Sequence, residues 1–474
     1  MLFCSKQYLL FFVVVFAVYW TLPWRRARVW LLLGASFYFY ASWNEWLATI
    51  VCVSSLFDYL LARGMDVSRS PRGRRTLLGL SLAMNLGILA YFKYANFFLA
   101  SLENSLTAVG ATVSLPVLKV ILPIGISFYT FEAISYTVDV YRRRIPAEKN
   151  LAHFMLFILF FPHLVAGPIV RARDFLPQIA RWKRWDWTRL NVGVQFLLLG
   201  LFKKLAIADR MSQFVDPVLA APEQFNTGAL WAVTLAYAYQ VYCDFSGYSD
   251  MAIGSAHMLG FKLAKNFDLP FMSPNIAEFW RRWHISLSSW LRDYVFMPLC
   301  GGGGTRWQFD RSMFLTMVLC GLWHGASWTY VVFGAIHGLL LAGHRVFREL
   351  CQKRPAIDRV LKSPLGTSLR MTVTFTTVCL TLVVFRATTL SAGFGMLAHM
   401  FSRHSGAGLP MPIVGLWLTA LVMYFGHMLT YLGWWRGPFA AAPAPMRGCV
   451  YAVALSLALL LDPGADKAFI YFQF

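Results

Sequence analysis

Charge is scarce in this chain, and acidic charge is scarcer still. Only 14% of its 474 residues are charged, and Asp plus Glu number 22 against 43 Lys plus Arg. Soluble domains carry about 25% charged residues. With 58% hydrophobic residues and a mean hydropathy of +0.54, the chain reads as a polytopic membrane protein, and a count of soluble domains from length does not apply. The excess cations sit in short loops between apolar runs. That is a topology signal rather than the basic face of a nucleic-acid binder, so no nucleic-acid partner is expected. The eight cysteines are scattered without a CxxC or other ligand spacing, mostly in apolar runs, where cysteine behaves as a small hydrophobe. Neither a disulfide framework nor a metal site is expected. No small-x-small cleavage site follows the apolar stretch from Tyr8 to Trp20; Trp24-Arg25-Arg26-Ala27-Arg28 follows instead, as after a retained first span. The run Gly301 to Gly304 lacks the Lys-Ser/Thr of a phosphate-cradling loop and reads as a flexible loop. No internal repeat, coiled coil or long disordered tail is present.

What the chain has is long apolar runs. About 20 apolar residues span a bilayer as a helix. Spans are expected near 8–23, 29–44, 46–62, 76–98, 118–140, 191–209, 228–250, 371–386, 413–433 and 447–462, with shorter pieces near 151–168, 254–260, 312–324 and 328–344. Basic loops at Arg25 to Arg28, Arg63 to Arg75 and Arg142 to Lys149 recur every second span. They mark the cytoplasmic side and leave the N-terminus outside. Two segments break the alternation because basic residues flank both their ends. The 151–168 segment is expected to be re-entrant, bent at Pro162 or Gly167-Pro168. The 312–344 segment is expected to form a hairpin with His324-Gly325 at its tip. Irregular backbone at that depth survives only inside protein or along a cavity. Arms of twelve residues rise about 18 Å, placing the tip near the membrane middle.

A titratable group at that depth is costly and marks a functional site by default. His324 therefore stands first among candidates, as a base for a hydroxyl proton. A histidine satisfied by a buried carbonyl is the plainer alternative. His284 lies in Phe279 to Tyr294, where Trp283, Leu287, Trp290, Leu291 and Tyr294 recur at helical spacing beside Arg281, Arg282 and Arg292. This stretch reads as an amphipathic helix along the interface, with His284 and Ser288 on one face. The arginines suit the phosphates of a nucleotide-bearing donor, or serve only as topology signals. Asp244, Ser246 and Asp250 end an apolar run and suit either a polar cavity wall or a helix end. Asn266 to Asn275, with two prolines, is an ordered connector rather than a helix. Glu132 and His163 suit a buried hydrogen bond better than catalysis. Lys203-Lys204 suits snorkelling from an embedded helix.

These residues resemble the membrane-bound O-acyltransferase family, in its bacterial alginate O-acetylation branch. The resemblance rests on Asp244-Phe245-Ser246-Gly247-Tyr248-Ser249-Asp250, Asn266-Phe267, Pro270-Phe271, Glu278 to Leu287 and Leu322-Trp323-His324-Gly325. Leu122 to Phe131 and Phe161 to Ile169 fit as well. It covers nearly the whole chain as a single domain (1–474), most strongly over 120–345. It implies an all-α, polytopic transmembrane helical bundle with re-entrant helices and a cytoplasmic funnel. It implies that His324 is the buried catalytic histidine and His284 the second functional one. The donor would be acetyl-CoA or an acyl carrier protein, with no tightly bound cofactor. The acceptor would be a hydroxyl of an exported polysaccharide, reached through a periplasmic acyltransferase partner at the bacterial inner membrane. Peptidoglycan O-acetylation and teichoic acid D-alanylation are the nearest alternatives. A transporter or export-channel subunit is the non-enzymatic one, disfavoured because no repeat is evident. Charge cannot enter the low-dielectric layer. A funnel wide at 279–294 and narrowing to His324 is therefore expected, lined by Asp244, Ser246 and Asn266, with a small periplasmic opening opposite.

Overall fold

The apolar runs become helices, and their ends fall where the sequence changes chemistry. The protein is described by a computed structural model covering all residues except 112, 166, 302–304, 411, 412, 435, 436 and 462–474. Three residues of the glycine run and Ala166 thus lie outside the described residues. Among the described residues six helices are long and apolar enough to cross a membrane. The only extended pairing among them is an isolated bridge between Phe225 and Ala407. The chain packs as two compact units, residues 1–197 with 251–264, and residues 198–250 with 265–474.

In the first unit the helices Lys6–Thr21, Arg25–Ala41 and Glu45–Val67 begin on side-chain caps or just after a proline turn. Pro71–Leu89 continues through a π-helical turn, Ala90–Tyr94, into Ala95–Ala108. A polar knot ties three helices together. Ser81 donates to Asp58 at 2.5 Å, Asn85 Nδ2 reaches both Asp58 oxygens, and Ser81 also bonds Thr137. Lipid offers no hydrophobic drive between helices, so such bonds and close glycine contacts hold them. A Cβ on Gly193 would stand 2.8 Å from the Gly254 carbonyl oxygen, and one on Gly254 2.5 Å from that of Gly193. The span expected over 118–140 is helical only as Ile126–Tyr141. Pro123 and the left-handed Gly125 (φ 74°) start it late. The 151–168 segment breaks at Phe160, between Leu151–Leu159 and Phe161–Leu164, just before Pro162.

In the second unit the expected hairpin is present, with longer arms. They are Arg306–His324 and Trp328–Gln352. A capping box at Thr305 and Gln308 fixes the start. From Arg311 to His324 the helix rises about 20 Å, close to the roughly 18 Å expected of the arm. Glycines bring the arms together: a Cβ on Gly321 would lie 2.1 Å from the Tyr330 carbonyl oxygen, and one on Gly334 2.2 Å from that of Met317. Two expected pieces, 228–250 and 254–260, are one helix, Thr227–Met258, which contributes residues to both units. Ala172–Ala180, Pro355–Lys362 and Leu390–Met400 are helices that the span pattern passed over.

Candidate active site

The stretch 279–294 is not the single helix its stripe suggests. It divides into Ile276–Arg282, Ile285–Leu291 and a π-helical turn, Arg292–Phe296. His284 stands at the break in a left-handed conformation (φ 44°), which costs a non-glycine residue about 1–2 kcal/mol. The connector 266–268 takes over the hydrogen bonds that a continuous helix would use. Ile285 N donates to the Asn266 carbonyl at 2.9 Å, and Asp268 N donates to the Arg282 carbonyl at 2.9 Å. Ser286 N donates to Asn266 Oδ1 at 3.2 Å. The apolar stripe (Trp283, Leu287, Trp290, Leu291) is buried in protein.

Asn266 organises the histidine. Its Oδ1 accepts from Ser286 N and from Ser286 Oγ at 2.9 Å, while its Nδ2 donates to Ser249 Oγ at 3.2 Å. Because Oδ1 is thereby an acceptor, the His284 Nδ1 contact at 3.1 Å carries the proton on Nδ1. The lone pair is left on Nε2. His284 has no exposed surface, and burial pushes its pKa down to about 3. The ring is a neutral acceptor throughout the physiological range.

His324 is the last residue of its arm and is 4% exposed. Its ring is bounded by Trp323 (5.0 Å), Phe385 (5.3 Å) and Phe333 (6.3 Å between centroids). Trp323 also lies 5.7 Å from His284, so one indole stands against both imidazoles. Phe245 meets His284 edge-on at 4.7 Å. Gly325 is required by a close approach, since a Cβ there would stand 2.2 Å from Tyr330 Cε2. Phe385 belongs to the last turn of Pro364–Arg386. Its neighbours Val383 and Arg386, with Glu223, Thr388 and His399, line a cavity of about 530 Å³.

The remaining candidates sort clearly. Asp244 is buried and faces Lys204 at 2.8 Å, which also meets Asp209 at 2.7 Å. Lys203 pairs with Asp250 at 2.6 Å. The lysines expected to snorkel are therefore ion-paired inside the protein, with Lys204 only 1% exposed. The reason is the π-helical turn Phe202–Asp209, an irregularity that re-aims side chains. Ser246 is buried on the same helix. Ser288 is not brought to the His284 ring, because its hydroxyl donates to the Trp283 carbonyl at 3.2 Å. Ser286 takes that place through Asn266. Arg282 pairs with Glu278 at 2.9 Å, Arg281 also bonds Glu278, and Arg292 pairs with Asp293 at 2.8 Å. Arg281 and Arg292 are exposed. In the first unit Glu132 and His163 form a buried pair at 3.2 Å, with Val170 N on Glu132 Oε1 at 2.9 Å, as the hydrogen-bond reading expected.

Sequence reasoning passed over His337. Its Nδ1 accepts from Trp280 Nε1 at 3.2 Å and its Nε2 donates to Thr381 Oγ1 at 3.0 Å, since that hydroxyl donates to the Val378 carbonyl. The signal was available: His337 interrupts the apolar run of the second arm as His324 ends that of the first.

Residues 135–387, which hold all these groups of the second unit except those at its margins, match the family model for MBOAT, the membrane-bound O-acyltransferase family. The chain belongs to that family. Among its relatives is the "Probable alginate O-acetylase AlgI" of Azotobacter vinelandii, 41% identical over 404 residues, covering 85% of this chain and 78% of the relative. The protein of the same name from Pseudomonas aeruginosa is also 41% identical over 404 residues, covering 85% and 75%. The "Peptidoglycan O-acetyltransferase" of Helicobacter pylori is 33% identical over 399 residues, covering 79% and 73%. As a membrane-bound O-acyltransferase the chain moves acyl groups to hydroxyls, and both His284 and His324 lie in the matched region.

Proposed function

We propose that this acyltransferase passes acetyl from a cytoplasmic thioester, acetyl-CoA or an acyl carrier protein, to hydroxyls of an exported polysaccharide of the alginate type. It would do so at the bacterial inner membrane, with its N-terminus outside and a periplasmic acyltransferase as partner. The observation that carries this reading is the placement of two buried imidazoles against one indole, Trp323, at the end of a hairpin flanked by basic residues.

In this reading a His324 ring nitrogen takes the proton of the incoming hydroxyl. The oxygen attacks the thioester carbonyl, the C–S bond breaks, and the thiolate leaves with that proton. His284, held neutral with its lone pair on Nε2, positions the acyl-bearing arm. Arg281, Arg282 and Arg292 keep the donor's charged part outside the low-dielectric layer. Asp244, Ser246 and Asn266 would line a donor path that is closed at His324 in this structure. Trp323 and Phe385 close off His324 here, so substrate entry requires one of them to turn. The cavity beyond Phe385 would be the acceptor's approach.

The test is transfer of labelled acetyl from acetyl-CoA by purified protein reconstituted with its periplasmic partner and an unacetylated uronate polymer. Labelled polymer is the expected result. Label released only to peptidoglycan, or no turnover of any thioester, would overturn the reading. Labelling of a Ser289→Cys variant from the periplasmic side alone would overturn the topology.

A further inference from the structure

The first unit carries a cluster of cations that the acyl-transfer reading does not use. Two segments distant in sequence, Trp24 to Arg28 and Arg181 to Arg189, are tied together. Arg25 donates to the Ala180 carbonyl, and Arg28 Nη1 donates to that of Lys183 at 2.9 Å. The Arg28 guanidinium is caged by the rings of Tyr19 (5.1 Å), Trp20 (5.1 Å) and Trp182 (4.8 Å). Trp185 packs on Trp20 and Trp187, each at 5.2 Å. Around this frame stand Arg25, Arg26, Arg28, Arg181, Lys183, Arg184 and Arg189, with Asp186 as the one acid in these two segments. Asp186 is engaged in capping Thr188 N and Arg189 N and lies 4.0 Å from the Arg189 guanidinium.

Arg181 and Arg184 are exposed and make no hydrogen bond or ion pair with the described residues. Lys183 lies over the Phe261 ring at 4.5 Å. Burial first, then the charges of Arg189 and Arg181, push its pKa down to about 8, as expected of a cation crowded by cations. Such a group of charges calls for an anion.

We propose that this lobe is a binding site for the headgroup of an anionic phospholipid. The choice of lipid over an acidic protein or a free nucleotide follows from what adjoins the cations. Trp24, Trp182, Trp185 and Trp187 are 42–67% exposed at the same place, and indole rings favour the headgroup layer. The helix Lys6–Thr21, which ends at this lobe, presents an exposed apolar face of Leu10, Val13, Val14 and Val18. A ligand with a phosphate head and long acyl chains meets both surfaces, whereas a soluble anion leaves the apolar face unused. Basic pockets beside transmembrane helices bind anionic heads at about 1 kcal/mol per cation.

The test uses the full chain in detergent with added phosphatidylglycerol, against phosphatidylcholine of the same acyl chains. Bound lipid is counted by native mass spectrometry and thermal unfolding is recorded in parallel. Phosphatidylglycerol is expected to be retained and to raise the unfolding temperature, and phosphatidylcholine is not. The exposed double variant Arg181→Gln/Arg184→Gln is expected to fold normally and to bind phosphatidylglycerol roughly 30-fold more weakly. Equal retention of the two lipids, or unchanged binding by the double variant, overturns the proposal. So does a thermal shift from acetyl-CoA or an acyl carrier protein that the parent shows and the double variant loses, which would assign the lobe to the donor rather than to lipid.

Discussion

His337 and His284 are both wholly buried in the second unit, yet the chain treats them differently. His337 has each ring nitrogen committed to a hydrogen bond inside the fold, one with Trp280 and one with Thr381. His284 has its Nδ1 proton fixed by Asn266, which defines Nε2 as the lone-pair nitrogen, next to the indole that also meets His324. Burial alone does not separate a structural histidine from a reactive one. The surroundings differ: His337 ties Trp280 to Thr381, whereas His284 is set by Asn266 beside the one indole that also meets His324.

That contrast is best broken at its reactive end. His324→Ala is expected to lower acetyl transfer by about 10²–10⁴-fold while the protein still inserts, measured as polymer-bound acetate at matched protein levels. Near-normal transfer would remove His324 from the chemistry. Lys204→Met should act on folding instead. It leaves Asp209 and Asp244 buried without their cation, a loss of about 3–5 kcal/mol, read as a lowered unfolding temperature and reduced monodisperse yield. His337→Leu is the sharpening experiment. It strands the Trp280 N–H and should cost about 1–3 kcal/mol of stability, with transfer per folded molecule within a few-fold of the parent. A kinetic collapse in a stable His337→Leu protein would erase the distinction between the two histidines.

The smallest effect concerns pH. The folded His284 binds a proton only near pH 3, whereas an unfolded histidine does so near 6.5. Between those values the unfolded chain holds more protons, so this group makes the protein less stable as pH falls below about 6.5. Above that it contributes no pH dependence. Comparing unfolding temperatures at pH 7.5 and 5 for the parent and His284→Gln isolates the contribution, and the parent should fall further.

The apolar runs and basic flanks made the span pattern and the hairpin legible, because both obey local rules of composition. His324 was legible for the same reason: one imidazole ends a long apolar arm. What stayed hidden depends on partners far along the chain. The break at His284 is made by Asn266, whose carbonyl and side chain intercept two backbone donors, Ile285 N and Ser286 N, that periodicity assigns to a continuous helix. Lys204 read as a snorkelling residue because nothing in its neighbourhood reveals that Asp244 closes over it. His337 stands out in its apolar run, but its role is visible only once Trp280 and Thr381 are seen to be its partners.

The glycine seam of the hairpin carries a consequence for the order of assembly. Gly321 meets Tyr330 and Gly334 meets Met317 across very short stretches of chain, and contacts that are local in sequence form early because little loop entropy opposes them. During synthesis the two arms can zip together once residue 352 has emerged, carrying Trp323 and His324 already in place at the bend. Phe385 is made later, on the helix Pro364–Arg386. The hairpin tip is thus built first as an open edge, and the aromatic wall that shuts it arrives afterwards.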